Sequence, residues 1–485
     1  MSAEIFERCA SDVIEISSQS TSLEKTLGRR QLLSLGVGGI IGTGIFVMIG
    51  LAAHDLAGPA IIVSFMIAAV ACIAVALCYA EFAAHIPKAG SVYAYAYATL
   101  GEFPAWAIGW NLLLSYGIAA ASVAQGWSHY FQSFLSVFNI RLPSFLANPP
   151  LDVSSAGKVV ASGGVIDLPA FLIVASLSAI LIIGVKTSLR FNFAMLVLKL
   201  SVIAFVIIVG CFYIHPQNWQ PFAPHGWGAI PHPGGPPRGM LAGAAIMFFA
   251  YLGFENLAVY GEEAKRPQRD LPFCIVLSVV ICMILYIGVA GVLTGMTPTQ
   301  SISVQAPLSE AFRQAGLPWA QFLISAGAIT GITSVLLLIL MGLSRILIAI
   351  SRDGLLPPTL FNSFHPRFRT PWRGMMVTGT LVALFASLLP LKLLSDLVTM
   401  STLFGFVAVC GALFVFRRSY KSEKAAFRAP FGAVAPIIGI LTTLLLIFNL
   451  PLINFAYLAT WLGLGTAIYM LYGRSRSVAR NSHPH

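Results

Sequence analysis

Apolar runs close to twenty residues long recur along almost the whole chain, and no other feature narrows its possible folds so far. An α-helix needs about 20 apolar residues to cross the roughly 30 Å of hydrocarbon in a bilayer. Twelve such runs are present: Leu32 to Ala57, Ala60 to Ala84, Trp106 to Val137, Ile166 to Val185, Phe191 to Ile214, Met240 to Tyr260, Phe273 to Gly295, Trp319 to Ile350, Gly374 to Leu389, Leu394 to Phe416, Ala433 to Leu450 and Leu452 to Leu471. Of the 485 residues 57% are hydrophobic and only 10% charged, against roughly 25% charged in an ordinary soluble domain. The expected fold class is an all-α integral membrane protein of about twelve transmembrane helices.

The net charge of +11 raises the question of nucleic acid, and the position of the basic residues answers it. Of the 29 Lys and Arg, 23 fall on the N-terminal tail, the even-numbered connections and the C-terminal tail. Five, Arg141, Lys158, Arg238, Arg313 and Lys392, fall on the opposite side, and Lys199 alone lies deep inside a span. This is the positive-inside pattern, with both termini cytoplasmic in a cell inner membrane and the excess charge facing anionic lipid. Nucleic acid is not an expected partner. Residues 1–30 lack an apolar core and a small-residue cleavage site, so they read as a cytoplasmic tail and not a signal peptide. The seven cysteines show no CxxC or Cys/His spacing, so neither a metal nor any other cofactor is expected.

Two spans are interrupted. The first carries GVGGIIGTGIF, with Gly36, Gly38, Gly39, Gly42 and Gly44 at mid-depth, where each glycine weakens a helix by about 1 kcal/mol relative to alanine. The sixth reads FFAYLGFENLAVYGEE, with Gly253 beside an acid, Glu255. Close helix packing through small-xxx-small contacts would account for Gly38 and Gly42, but the cluster occupies several faces, which favours unwinding. Interrupted helices five spans apart fit a five-plus-five inverted repeat whose discontinuous helices meet at the midplane. Residues 31–214 form the first repeat on this reading and 240–416 the second. Two further helices over 433–471 and a cytoplasmic tail over 472–485 follow. Freed N–H groups at the breaks suit a carboxylate, and freed carbonyls suit an ammonium or Na⁺. A dinucleotide-binding loop is excluded, since the glycines lie in an apolar helix and not after a strand.

Lys199 stands about eight residues into the fifth span, roughly 12 Å from its end, where a charge costs at least about 2.5 kcal/mol. Snorkelling over that distance is difficult, so a functional role is favoured. Glu255 either faces a pocket or bonds to the broken backbone. His129, near the end of the third span, reads as a packed or hydrogen-bonded histidine. Glu262, Glu263, Lys265, Arg266, Arg269 and Asp270, with Arg345, Arg352 and Asp353, form a charged inner face that reads first as solvated and second as a gate of ion pairs. The connection from Ser351 to Arg373 has room for a short helix along the membrane surface.

GGIIGTGIFV, GWNLLLSYGIAAASVAQGWSHYF, FFAYLGFENLAVYGEEAKRPQRDLP and SRILIAISRDGLLPPTLFNSFHPRFRTPWRG, in that order, resemble the cationic amino acid transporter subfamily of the amino acid-polyamine-organocation superfamily. The resemblance spans helices one to ten and implies the five-plus-five transporter fold with discontinuous helices 1 and 6. It implies that the substrate carboxylate is held by backbone amides at Thr43 and Gly44, beside Gly42, with the Ile40 carbonyl facing the ammonium. The carbonyls of Phe249, Ala250 and Leu252 would complete the amino pocket, and the Phe249 ring would close it as a gate. It further implies that Lys199 takes the place of a sodium ion and couples transport to protons, with neighbours expected at the Gly39 carbonyl and around Ser325, Thr330 and Thr333. Ser115 stands where many relatives carry glutamate, so neutral amino acids are expected at least as much as cationic ones. The implied activity is proton-coupled uptake by alternating access, with the amino acid, the proton and membrane lipid as partners. An exchanger, a polyamine carrier and an amino acid sensor of the same fold are the alternatives. No nucleophile-base set, phosphate loop or metal motif appears, so an enzyme is not expected.

Overall fold

The computed structural model describes residues 27–85, 91–154, 159–184, 189–232, 235–261, 263–368, 370–419, 427–430 and 432–478. The expected tail over 1–30 therefore lies almost wholly outside the described residues, as do Lys88, Lys158, Lys186 and Glu262.

Among the described residues eight apolar helical stretches are long enough to cross a membrane, the first of which, Arg29–His85, contains two spans, and three shorter apolar helices accompany them. The first span begins with α1, Arg29–Ile40, and α2 is Ile61–His85. Gly58, at φ +61°, and Pro59 turn the chain between them. The remaining spans are α3 (Glu102–Val137), α4 (Leu168–Ile183), α5 (Leu189–Gly210), α6 (Met240–Met247), α7 (Pro267–Met296), α8 (Pro318–Arg352), α9 (Trp372–Leu388), α10 (Leu391–Ser419), α11 (Val434–Phe448) and α12 (Ile453–Ile468). Helices of 15 to 17 residues such as α4, α9 and α11 reach only about 25 Å, a shortfall that a bilayer meets by thinning locally.

The packing pattern carries the repeat. α2 packs on α7, α3 on α8 and α4 on α9, each helix against the one five later. The off-diagonal contacts also come in matched pairs: α8 on α5 with α3 on α10, and α7 on α1 with α2 on α6. The outer helices α11 and α12 both pack on α10, and α12 is tied to α3 by stacked Trp110 and Trp461, 4.7 Å between centroids. Each indole N–H of that pair donates to the other residue's carbonyl, at 2.9 and 3.0 Å.

Both ends of the described chain lie on one face, the terminal face. There Leu27 N–H donates to the Glu263 carbonyl at 2.9 Å, and Val478 N–H donates to the Asp353 carbonyl at 3.1 Å. Glu81 of α2, 2% exposed, binds Arg417 of α10 through two bonds of 2.6 and 2.8 Å and also accepts the Ala429 N–H. The expected surface helix is present as one turn, Pro358–Phe361. The opposite, loop face carries two small antiparallel hairpins, β1 (Leu151–Val153) with β2 (Val159–Ala161), and β3 (Ile230–His232) with β4 (Gly235–Arg238).

Candidate functional site

Both interruptions expected from the glycines are present, and they cross. α1 ends at Ile40, Ile41 turns extended, and the chain resumes as π-helical turns from Gly44 to Met48. α6 ends at Met247, tightens into a 3₁₀ turn over Phe248–Tyr251, and breaks at Leu252 and Gly253 before a short turn at Asn256–Val259. Gly253 sits at φ +116°, a conformation closed to most side chains. A Cβ on Gly44 would lie 2.3 Å from the Ala250 Cα, and one on Gly253 would lie 2.6 Å from the Gly39 carbonyl oxygen. The glycines at these two crossings let the broken segments touch backbone to backbone.

The break leaves polar groups that must be met. No bond from the Gly42 or Thr43 amide to another backbone group is formed among the described residues, and the Thr43 hydroxyl, 1% exposed, has no partner there either. The carbonyls at the C-terminal end of α1 are capped by side chains. Lys199, 1% exposed on α5, donates from Nζ to the Gly38 carbonyl at 2.7 Å and the Ile41 carbonyl at 3.1 Å. The negative end of a half-helix dipole is the place where a buried cation is least costly.

Lys199 thus meets the first helix as expected, but through Gly38 and Ile41 and not Gly39. The expected helix-eight hydroxyls are engaged elsewhere: Thr330 with the carbonyls of Ala326 and Gly327, Thr333 with the Ile329 carbonyl and the Trp127 indole, and Ser325 with Ser133. α8 instead offers Gly331, where a Cβ would press to 3.0 Å from the lysine stem.

Tyr286 of α7 was not singled out by sequence. Its hydroxyl lies 3.0 Å from both the Ile40 and the Ala250 carbonyls and shares one proton between the two breaks. A tyrosine in an apolar span is commonplace, so no local signal marks it. Of the expected amino-pocket carbonyls, Ile40 and Ala250 thus already face this hydroxyl, and Phe249 accepts the Leu252 N–H at 3.2 Å. The Phe249 ring is 5% exposed. Glu255 accepts the Gly253 N–H at 2.9 Å, the bond to broken backbone that was one of its two readings.

Ser115 and Glu255 share the wall of a cavity of about 30 Å³ with Gly39, Tyr116, Leu252 and Asn256. Ser115 Oγ lies 2.6 Å from the Thr402 hydroxyl, and Tyr116 donates to Asn256 Oδ1 at 2.5 Å. A space of that size holds one or two waters, so the centre is contracted. Toward the terminal face Arg345 reaches Glu263 at 3.7 Å and covers the Tyr260 ring, and Arg29 reaches Asp270 at 2.9 Å. Of the expected inner charges Arg345, Glu263 and Asp270 are paired, the last with Arg29 from outside the expected set, whereas Asp353 accepts the Tyr93 hydroxyl at 2.5 Å. Among the described residues no cluster suited to a metal ion occurs.

Two helices broken at mid-depth, crossing at glycines and related by a repeat of five, define a multi-pass membrane transporter of the inverted-repeat type. The family model for amino acid permeases matches residues 27–471. The chain belongs to that family, within the amino acid-polyamine-organocation superfamily, and is a transport protein and not an enzyme. It is 42% identical to the methylthioribose transporter of Bacillus subtilis (strain 168), over 98% of this chain and 99% of that one. It is also 42% identical to the branched-chain amino acid permease BcaP of the same organism, over 96% of this chain and 97% of that one. It is 37% identical to cationic amino acid transporter 4 of Homo sapiens, over 85% of this chain and 63% of that one.

Proposed function

We propose that this chain takes up neutral L-amino acids, with cationic ones as a second class, by proton symport through alternating access. The observation that carries the reading is Lys199, buried and bonded to two carbonyls at the edge of the first-helix break. Loss or gain of its proton alters the charge that caps α1, and so the geometry of the amides one turn on. The substrate carboxylate meets the amides at Gly42, Thr43 and Gly44, and the ammonium meets the carbonyls of Ile40, Phe249, Ala250 and Leu252, displacing the Tyr286 hydroxyl from the two it now faces. Phe249 acts as the gate over this site. Ser115 and Glu255 line the adjoining cavity, where a hydroxyl pair in place of a second acid fits a neutral side chain. The repeats run from 31 to 214 and from 240 to 416, the terminal face lies in the cytoplasm of the inner membrane, and anionic lipid meets its basic residues.

The relatives' names include both a branched-chain amino acid permease and a methylthioribose transporter, and one binding experiment separates these substrates. A ligand that binds the folded chain raises its stability by RT ln(1 + [L]/Kd). Thermal unfolding in detergent is measured against each proteinogenic amino acid, ornithine, putrescine and methylthioribose. Stabilisation by neutral amino acids is expected. Hits confined to arginine, lysine and ornithine contradict the neutral preference, and a response to putrescine or methylthioribose alone contradicts the amino acid reading.

A further inference from the structure

The segment that follows α12 is docked against the body of the protein. After α12 the helix loosens into a π-helical turn over Tyr469–Gly473 and one further turn over Arg474–Arg476. Three contacts then hold it at the terminal ends of α3 and α8. The Tyr469 hydroxyl donates to Glu102 Oε1 at 2.7 Å and the Ser477 hydroxyl donates to Glu102 Oε2, so each oxygen of the carboxylate that opens α3 meets this segment. Val478 N–H donates to the Asp353 carbonyl at 3.1 Å, one residue past α8. Between them the Arg476 carbonyl oxygen lies against Gly354, at φ +80°, where a Cβ would collide with it. Chain ends usually fray, but Tyr469 is 2% exposed and Ser477 0%.

The helix ends it joins carry contacts that close the terminal face. α8 holds Arg345, which reaches Glu263 at 3.7 Å just past the broken sixth span. Asp353 accepts the Tyr93 hydroxyl at 2.5 Å from the short helix Ser91–Leu100 that follows α2. Both contacts run from α8 to elements that continue α2 or the sixth span, and both depend on where the end of α8 stands. Beside Arg345 the crevice lined by Leu35, Gly39 and Tyr260 measures only about 10 Å³, whereas the loop face opens into a cavity of about 520 Å³ lined in part by Val304.

We propose that residues 469–478 form a clasp that holds the terminal face shut. By pinning the Asp353–Gly354 turn to the start of α3, the clasp keeps Arg345 within reach of Glu263 and Asp353 within reach of Tyr93. Its release lets the end of α8 withdraw and favours the state open at the terminal face. The clasp acts on the alternating-access cycle proposed above and rests on that reading.

Added cysteines report on the two faces of the full chain in detergent: Leu35→Cys in the terminal crevice, where Leu35 is 8% exposed, and Val304→Cys in the loop-face cavity. The rate of labelling by a charged maleimide is measured for each, less that of the same chain without the reporter. Removal of residues 474–485 is expected to speed Leu35→Cys about fivefold and slow Val304→Cys about twofold, as when a terminal-open minority grows from about a tenth to about half of the molecules. Ser477→Ala, which deletes one hydroxyl, is expected to speed Leu35→Cys about twofold. It carries the test should the truncated chain not run as a single species in size exclusion. Unchanged rates, or a rise at both reporters, overturn the clasp, since general loosening opens both faces. With the clasp intact, saturating L-leucine, L-alanine or L-arginine is expected to change the ratio of the two rates. If none of the three does, the alternating-access reading fails, and the clasp with it.

Discussion

A buried cation and a broken helix satisfy each other at Lys199. Without the lysine the Gly38 and Ile41 carbonyls lose their donor in a water-poor place, and each orphaned group costs about 1–3 kcal/mol. Lys199→Met is therefore expected to lower the melting temperature in detergent, apart from any effect on transport. A residue at the terminal face offers a pH test. Burial raises the Asp353 carboxyl from its ordinary 3.8 to about 6, against the opposing hydrogen bond from Tyr93. The folded chain then binds more protons than the unfolded one between these values, so stability falls as pH rises through about 4 to 6 and levels off above. Asp353→Asn should abolish that fall in a melting series across the window, and an identical series for both proteins would contradict the assignment. Lys199 was legible because a lone cation in an apolar run is conspicuous. Its partners were not, because a carbonyl has no letter of its own, and the hydroxyls nearest in expectation turn out to bond along their own helix or to α3.

The interrupted elements follow from glycine chemistry and so could be read in advance. The cluster from Gly36 to Gly44 and the pair Gly253 and Glu255 mark both breaks within a residue or two. What the sequence could not show is that the breaks touch, since the approach of Gly44 to Ala250 depends on the packing of ten other spans. Gly44→Ala places a methyl group 2.3 Å from the Ala250 Cα, which only a backbone shift can relieve. Transport is expected to fall at least about tenfold, in keeping with the cost of a displaced binding group, with the protein still inserted and monodisperse. Wild-type rates in that variant would show that the crossing plays no part in transport. The Glu81–Arg417 pair and the Trp110–Trp461 stack were equally invisible, because their partners lie more than 330 residues apart in sequence.

Across the whole molecule, the spans, their order and the repeat were legible in the sequence, since each rests on hydrophobic length and on the positions of glycine and charge. The closed centre was not, because a cavity of about 30 Å³ is what remains after every side chain is placed. The terminal face is latched by Arg29–Asp270 and Arg345–Glu263, while the loop face holds the larger space. This asymmetry fits a carrier poised to load from the loop face, and on the proposed mechanism proton binding at Lys199 and substrate binding at the breaks would act on one piece of backbone. The direct test is accumulation of radiolabelled L-leucine, L-alanine and L-arginine, each alone, in proteoliposomes under an imposed pH gradient, alkaline inside. The wild-type chain is predicted to concentrate at least one of them above the outside level and to lose that ability when an uncoupler collapses the gradient. Lys199→Met is predicted to equilibrate or exchange substrate without concentrating it. A Lys199→Met protein that still concentrates substrate in response to the gradient would contradict the account.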